Sequence, residues 1–276
     1  MPIPVKILQS DGKLISPQVS ADSLDEVAIN EPEGIYTVAR TFSKNKVVLF
    51  DAHLDRLEES ARLENIDITL NHDLLRQALS QLIEECGYSE SRFRITIPKD
   101  QPDQIWLAVE PLQLIPLAFK QEGVIVATCK ITRPNPRAKS NAWVNLRNEA
   151  VKEISEQVYE GIIVSEDGHL MEGFSSNFYA IVRGSLHTAE HDILHGIARR
   201  VVLAVAPDLI PLQFLPIHID QLAQIDEAFL TSSSRGVVPI VQINGAKIAD
   251  GTPGASTHQL CAAYDNWVDE NMQPIA

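Results

Sequence analysis

Cysteine and positive charge are both scarce in this chain, and each shortage excludes something. Only three cysteines occur in 276 residues, at Cys86, Cys129 and Cys261. They are widely spaced, odd in number and never in a Cys-x-x-Cys pair. A disulfide framework and a cysteine-built metal centre are therefore not expected; buried thiols in a reducing compartment are. Lys and Arg total 23 against 37 Asp and Glu, a formal charge of −14. No extended basic stripe exists to neutralise phosphates, so nucleic acid is not an expected partner. No stretch approaches the roughly 20 apolar residues of a membrane span. The start, Met1-Pro2-Ile3-Pro4-Val5-Lys6, lacks the basic and long apolar segments of a secretory signal, and a cytoplasmic location is expected. Internal repeats and low-complexity tracts are also missing. What remains is 45% apolar and 22% charged residues, ordinary for a globular protein with room for one large domain or two smaller ones.

Hydrophobic alternation predicts strands over Val5–Leu8 and Lys13–Ile15 around the turn Ser10-Asp11-Gly12, then over 35–42 and 46–50. Asp51 is the expected N-cap of a helix to Asn65, on which His53 and Arg56 share a side. A second helix is predicted from Asn71 to Cys86, ended by Gly87, and strands over 92–97 and 104–109 complete this half. The segment from Pro111 to Gly123 is the expected boundary, giving domains at 1–115 and 116–276. Beyond it the reading places a strand at 124–128 and a helix at 148–158. A hairpin follows at 161–164 and 169–171, then a strand at 177–182 and an apolar helix at 196–205. A short helix over 221–224 behind an Asp220 cap, strands at 228–231 and 239–243 and a final helix at 257–268 end the chain. Asn244-Gly245 is a type I′ turn signal.

Against the acidic background, the loop from Lys130 through Arg133 and Arg137 to Lys139 is a basic island stiffened by Pro134 and Pro136. A lysine amine among other cations, or desolvated, loses its proton more readily and becomes a nucleophile toward aldehydes. On composition alone Lys139 is still an ordinary surface lysine. Three further loops are each compatible with a ligand and with a plain turn. Glu172-Gly173 follows a strand directly. Leu194-His195-Gly196-Ile197-Ala198 opens an apolar helix, whose first amides are an anion site. Thr231-Ser232-Ser233-Ser234-Arg235-Gly236 gathers hydroxyls, a glycine and an arginine, which suits a phosphate.

In this order the blocks resemble the fold-type IV pyridoxal-phosphate enzymes: branched-chain aminotransferases, D-amino-acid aminotransferases and 4-amino-4-deoxychorismate lyases. The resemblance runs from Gly34-Ile35-Tyr36 and Asp51-Ala52-His53-Leu54-Asp55-Arg56 through Lys139, Glu172-Gly173-x-Ser-x-Asn177 and Leu194-x-Gly196-Ile197 to the 231–239 loop. It implies an α+β fold with a small N-terminal domain, a larger C-terminal pseudo-barrel and the cofactor in the cleft between them, in a homodimer. Pyridoxal 5′-phosphate is the implied cofactor, and no metal is expected. Lys139 matches the lysine that binds the cofactor covalently and moves the proton, and Glu172 matches the carboxylate on the pyridine nitrogen. Arg56, the amides of Ile197 and Ala198, Ser232 and Ser233 match the phosphate cup. Leu194 matches the apolar residue on one ring face, and Tyr36 an active-site aromatic.

The chain also departs from the family pattern. Thr37 stands where many relatives carry glutamate, Ala198 where many carry threonine, and Arg235 where many carry a small or uncharged residue. Near Arg92-Phe93-Arg94-Ile95-Thr96 neither family substrate motif matches cleanly, and Trp143 and Arg147 do not align. Arg40 and Arg235 are the expected contacts for a substrate carboxylate. The implied activity is transfer of an amino group between an amino acid and a 2-oxo acid. A lyase of the aminodeoxychorismate type is the alternative, and a non-catalytic cofactor-binding protein a distant third. Retention of both Lys139 and Glu172 speaks against the third, since binding alone needs no electron sink.

Overall fold

β1 (Val5–Leu8) and β2 (Leu14–Ile15) pair antiparallel across the expected turn. Gly12 takes φ +88 there, a left-handed conformation that favours glycine. α1 (Leu24–Asn30) follows. It went unread in the sequence although its signal is present: Ser23 accepts the Glu26 N–H, and Glu26 accepts the Asp22 N–H, close to a capping box. β3 (Gly34–Arg40) and β4 (Lys46–Val48) lead into α2 (Phe50–Leu63). The expected Asp51 cap is corrected here. Leu49, at φ +50, begins the helix with no side-chain bond, and Asp51 lies in the first turn, paired with Arg76. α3 (His72–Cys86) is capped by Asn71, which accepts the Leu74 N–H, and ends at Gly87 with φ +68, the latter as read. β5 (Ser91–Pro98) and β6 (Ile105–Pro111) complete a sheet of order β2-β1-β6-β5-β3.

This computed structural model describes residues 2–276 and forms two compact units. The first comprises the chain up to Gln113 together with Arg137–Leu146 and Asn271–Ala276, and the second comprises Leu114–Pro136 and Arg147–Glu270. In the first unit, β5 is buried on both faces. Phe93, Ile95 and Ile97 pack with Leu54, Leu57, Leu75 and Leu79 of α2 and α3. A smaller cluster gathers Val5, Ile7, Trp106 and Ala108 of β1 and β6 with Leu24 and Val27 of α1.

The second unit begins with α4 (Leu117–Gln121) and β7 (Val124–Cys129). α5 (Ala142–Lys152) starts in the first unit, earlier than the expected 148, because the chain turns into helix directly after Asn141. The Val144 N–H donates to the Asn141 carbonyl, and Trp143 and Val144 are buried. Then come β8 (Glu160–Val164), β9 (Leu170–Gly173), β10 (Asn177–Val182), β11 (Ser185–His187) and α6 (Ile197–Val205). β12 (Leu212–Gln213), β13 (Glu227–Ser232), β14 (Gly236–Ile243), β15 (Ala246–Lys247) and α7 (Ala255–Asn271) follow. The short helix before β13 is 3₁₀, Ile219–Gln224, and its cap is His218 rather than Asp220. Pairing runs β10-β13-β14-β7-β8-β9, and β9 also pairs with β10, so six strands close on themselves around Val126, Ile162, Phe178, Leu230 and Val238. The last strand, β16 (Met272–Pro274), pairs with β4 of the first unit.

The lysine stretch belongs to the first unit because its backbone is hydrogen-bonded to β3. Ser140 bridges Ile35, the Tyr36 N–H donates to the Lys139 carbonyl at 2.8 Å, and the Asn141 N–H to the Gly34 carbonyl at 2.9 Å. Gly34 is required at this crossing: a Cβ there would lie 2.1 Å from the Ile97 oxygen. Asn141 adds both ends of its amide. Its Oδ1 accepts the Gly34 N–H at 2.9 Å, and its Nδ2 donates to the Pro32 carbonyl at 2.8 Å and to Glu31 Oε1 at 3.2 Å. Glu31 is a buried carboxylate whose other donors are the Arg94 guanidinium and the Thr96 hydroxyl, the latter at 2.7 Å. A buried charge is tolerated only when paired and hydrogen-bonded, and removal of one partner strands the other. Glu31→Ala is therefore expected to lower unfolding stability by about 3–5 kcal/mol, with Glu31→Leu/Arg94→Met costing less. Urea midpoints of the two variants check the order.

Candidate active site

The expected site residues fall into two groups, one in each unit. In the first, Lys139 follows the buried Ala138 and is fixed at both backbone atoms. Its N–H donates to Ser60 Oγ at 3.1 Å and its carbonyl accepts from Tyr36. Ser60 is itself tied to α2 by donation to the Arg56 carbonyl at 2.7 Å. The lysine side chain is thus presented from a rigid base. Its Nζ lies 4.7 Å from the centroid of the Tyr36 ring, and the Arg94 guanidinium carbon lies 3.7 Å from the same centroid. Cations and aromatic faces attract, and Tyr36, only 5% exposed, is held firmly by them.

Arg56 is buried one helical turn from His53, as the spacing indicated. Both side chains meet Thr37: Arg56 Nη2 donates to its hydroxyl at 3.1 Å, and His53 Nδ1 lies 2.8 Å from it. Thr37 is thus a neutral hydroxyl that joins β3 to α2. Arg40 is engaged elsewhere, with Glu90 at 2.6 Å and over the Phe42 ring at 4.4 Å.

In the second unit Glu172 lies on β9, opposite Asn177 of β10, and is 2% exposed. Its Oε1 accepts from Arg133 Nη1 at 2.9 Å and its Oε2 from the Leu194 N–H at 3.0 Å. One oxygen is thus held by a guanidinium and the other by a backbone amide. Asn177 Nδ2 donates to the Leu194 carbonyl at 2.8 Å, so Leu194 is pinned at both backbone atoms. Two residues on, Gly196 is the N-cap of α6 and no side chain caps the helix. A Cβ at Gly196 would stand 2.3 Å from Asn177 Oδ1, so any other residue would push the helix start away. Thr231 stands next to Asn177 in the sheet register. On the other side, the buried hydroxyl of Ser176 has no hydrogen-bond partner among the described residues.

The Ser232–Gly236 hairpin completes this group. Ser232 pairs with Gly236, leaving Ser233, Ser234 and Arg235 as the loop, and Gly236 closes it at φ +67. Arg235 is fully engaged. Nε donates to Ser232 Oγ (2.8 Å), Nη1 to Glu160 Oε2 (2.9 Å) and the Tyr159 hydroxyl (3.3 Å), and Nη2 to the Ser175 carbonyl and hydroxyl (3.2 and 2.9 Å). Burial pulls its pKa down, but the Glu160 charge, Tyr159 and the hydrogen bonds to both together raise it. A substrate carboxylate would have to displace Glu160 from Arg235, and Glu90 from Arg40. Neither guanidinium stands ready for that role in this arrangement.

The residues present fit pyridoxal 5′-phosphate. An uncapped helix start with Ile197 and Ala198 as its first residues, a glycine that nothing larger can replace and an unpartnered buried hydroxyl suit its phosphate. The buried Glu172 carboxylate suits a ring nitrogen that carries a proton. Sequence reading missed Arg133 as the partner of Glu172, Thr37 as the partner of Arg56, and Glu160. Arg133 was visible as part of the basic island, but that island is partly neutralised: Arg133 pairs with Glu172 and Arg137 with Glu59.

The profile of the family described as Amino-transferase class IV matches residues 34–243. A D-alanine aminotransferase of Listeria monocytogenes serotype 1/2a (strain 10403S) is 26% identical, the match covering 83% of this chain and 84% of that one. A branched-chain-amino-acid aminotransferase of Pseudomonas aeruginosa is also 26% identical, over 98% of this chain and 95% of that one. Among solved structures, the branched-chain aminotransferase of the archaeon Thermoproteus uzoniensis with norvaline superposes with a TM-score of 0.79. It shares 24% identity and covers 100% of this chain and 99% of that one. Family, fold and the fit of the two residue groups agree: the chain belongs to the class IV aminotransferases and is a pyridoxal-phosphate-dependent enzyme.

Proposed function

We propose that the enzyme moves an amino group between an amino acid and a 2-oxo acid. The observation that carries this reading is the pairing of functions in the chain: a lysine on a rigid base, and a buried carboxylate hydrogen-bonded by Arg133 and the Leu194 amide. Pyridoxal 5′-phosphate, when bound, supplies an electron sink and a carbon that accepts the amino group. The chain's own residues do the rest. Lys139 binds the cofactor and carries the proton in the transfer step, with Tyr36 limiting where its Nζ can go. Glu172 would face the ring nitrogen and favour its protonated form, which lets the ring accept negative charge. The Arg56 guanidinium and the first amides of α6 are each suited to a phosphate.

The relatives do not choose the donor, because D-alanine and branched-chain enzymes match equally well at 26% identity. A panel of D- and L-amino acids, scored by conversion of bound cofactor to its pyridoxamine form, tests the reading directly. At least one amino acid should drive the conversion and a 2-oxo acid should reverse it; release of pyruvate without conversion would point to lyase chemistry. Lys139→Ala should keep the fold and lose both covalent cofactor attachment and turnover.

Arg56→Ala removes a full positive charge from the phosphate group of residues. A hydrogen bond to a charged group contributes about 1.5–3 kcal/mol, so cofactor affinity should fall roughly 10- to 100-fold. Titration of the apoenzyme measures it, and unchanged affinity would remove Arg56 from the cup. The homodimer implied by the resemblance belongs to the same reading. Exposed Leu114, Leu117 and Val151 support association, and sedimentation should give twice the chain mass.

A further inference from the structure

No step of the proposed reaction uses Arg235. Its five N–H groups all have acceptors: Ser232, Tyr159, Glu160 and, twice, Ser175. These acceptors lie on three separate stretches. Ser232 ends β13, Tyr159 and Glu160 open β8, and Ser175 lies in the loop between β9 and β10, three residues after Glu172. Glu160 closes the circuit, because its Oε1 accepts the Ser175 N–H at 2.5 Å and the Ser175 hydroxyl at 3.0 Å. Gly173 has no room to move within it, since a Cβ there would meet Ser176 Oγ at 2.2 Å and Glu160 at 2.9 Å.

The direction of one hydrogen bond gives this clamp a chemical meaning. A serine hydroxyl has one hydrogen to donate and two lone pairs. Arg235 Nε has only a hydrogen to give, so Ser232 Oγ must accept it. That leaves the serine's own hydrogen for another acceptor. A hydroxyl held this way keeps its hydrogen for donation, which is what an anion requires and what Ala198 cannot offer. A guanidinium already matched by a carboxylate and four neutral acceptors adds little attraction of its own.

We infer that Arg235, locked by Glu160, is a positioning residue: it fixes the Ser232 hydroxyl as a donor to the cofactor phosphate and fastens the loop behind Glu172. The inference rests on the Ser232 loop being part of the phosphate cup, and the test separates the two. Apoenzyme is titrated with pyridoxal 5′-phosphate and with pyridoxal, which lacks the phosphate, and the ratio of the two affinities is the readout. General loosening of the fold weakens both ligands and leaves that ratio in place.

Ser232→Ala should lower the ratio about tenfold, the size of one hydrogen bond to a charged group. In an Arg235→Met background, or in Arg235→Lys if that chain does not fold, the same change should have little further effect. Glu160→Gln should also lower the ratio, because the clamp is released. If Ser232→Ala leaves the ratio unchanged in the wild type, the cup assignment fails and the inference with it. If it costs the same in both backgrounds, the cup stands and the clamp is wrong. A higher ratio in Glu160→Gln would make Arg235 an anion-binding cation instead. Altered preference for an amino acid over its decarboxylated amine in Arg235→Lys, at an unchanged ratio, would likewise overturn the inference and return Arg235 to the substrate.

Discussion

The position of the reactive amine depends on main-chain hydrogen bonds between two segments about a hundred residues apart. Asn141 and Gly34, separated by 107 positions, exchange both backbone and side-chain bonds, and Tyr36 holds the Lys139 carbonyl. A backbone anchor of this kind does not depend on the identity of the lysine's neighbours, only on the absence of a side chain at Gly34 and the presence of an amide at Asn141. Glu31 extends it. One carboxylate accepts from Asn141 of the lysine stretch and from Arg94, whose guanidinium packs on the Tyr36 ring. Strand, lysine and aromatic ring therefore share one buried charge, and none of them can shift without disturbing the others.

Carboxylates play that part repeatedly. Arg94 has Glu31, Arg133 has Glu172, Arg235 has Glu160, and Arg40 has Glu90. An arginine rich in donors satisfies several loops at once when a carboxylate neutralises it, and in low dielectric surroundings such a pair is strong in geometry even where its net contribution to stability is modest. The consequence for function is that the arginines most visible in the sequence are committed within the protein.

This matching also explains what could and could not be read in advance. Local signals were legible. The Gly87 end, the Asn244-Gly245 turn and the strand at 177–182 depend on neighbouring residues and appear where the sequence puts them. Lys139, Glu172 and Arg56 were legible as blocks in a familiar order. The roles of Arg40 and Arg235 were not, because an arginine's partner is decided by tertiary contacts such as that of Arg235 with Glu160, 75 residues away. The early start of α5 was hidden for the same reason. Burial of Trp143 and Val144, and the turn imposed by Asn141, outweigh the better helical pattern further on.

Thr37 and Ala198, one in each unit, share one physical theme. In the first unit Thr37 gives Arg56 a neutral acceptor. In the second unit Ala198 gives α6 no hydroxyl, while Ser176, Thr231 and Ser232 carry hydroxyls on the strands and the loop between them. A phosphate needs donors and positive charge, and it is indifferent to which strand or helix supplies them. Loss of a hydroxyl from α6 is tolerable because the helix amides remain, and a donor on the β13–β14 hairpin is useful only if its hydrogen points outward. Arg235 gives that hairpin the fixed direction which a serine beside a three-residue loop would otherwise lack.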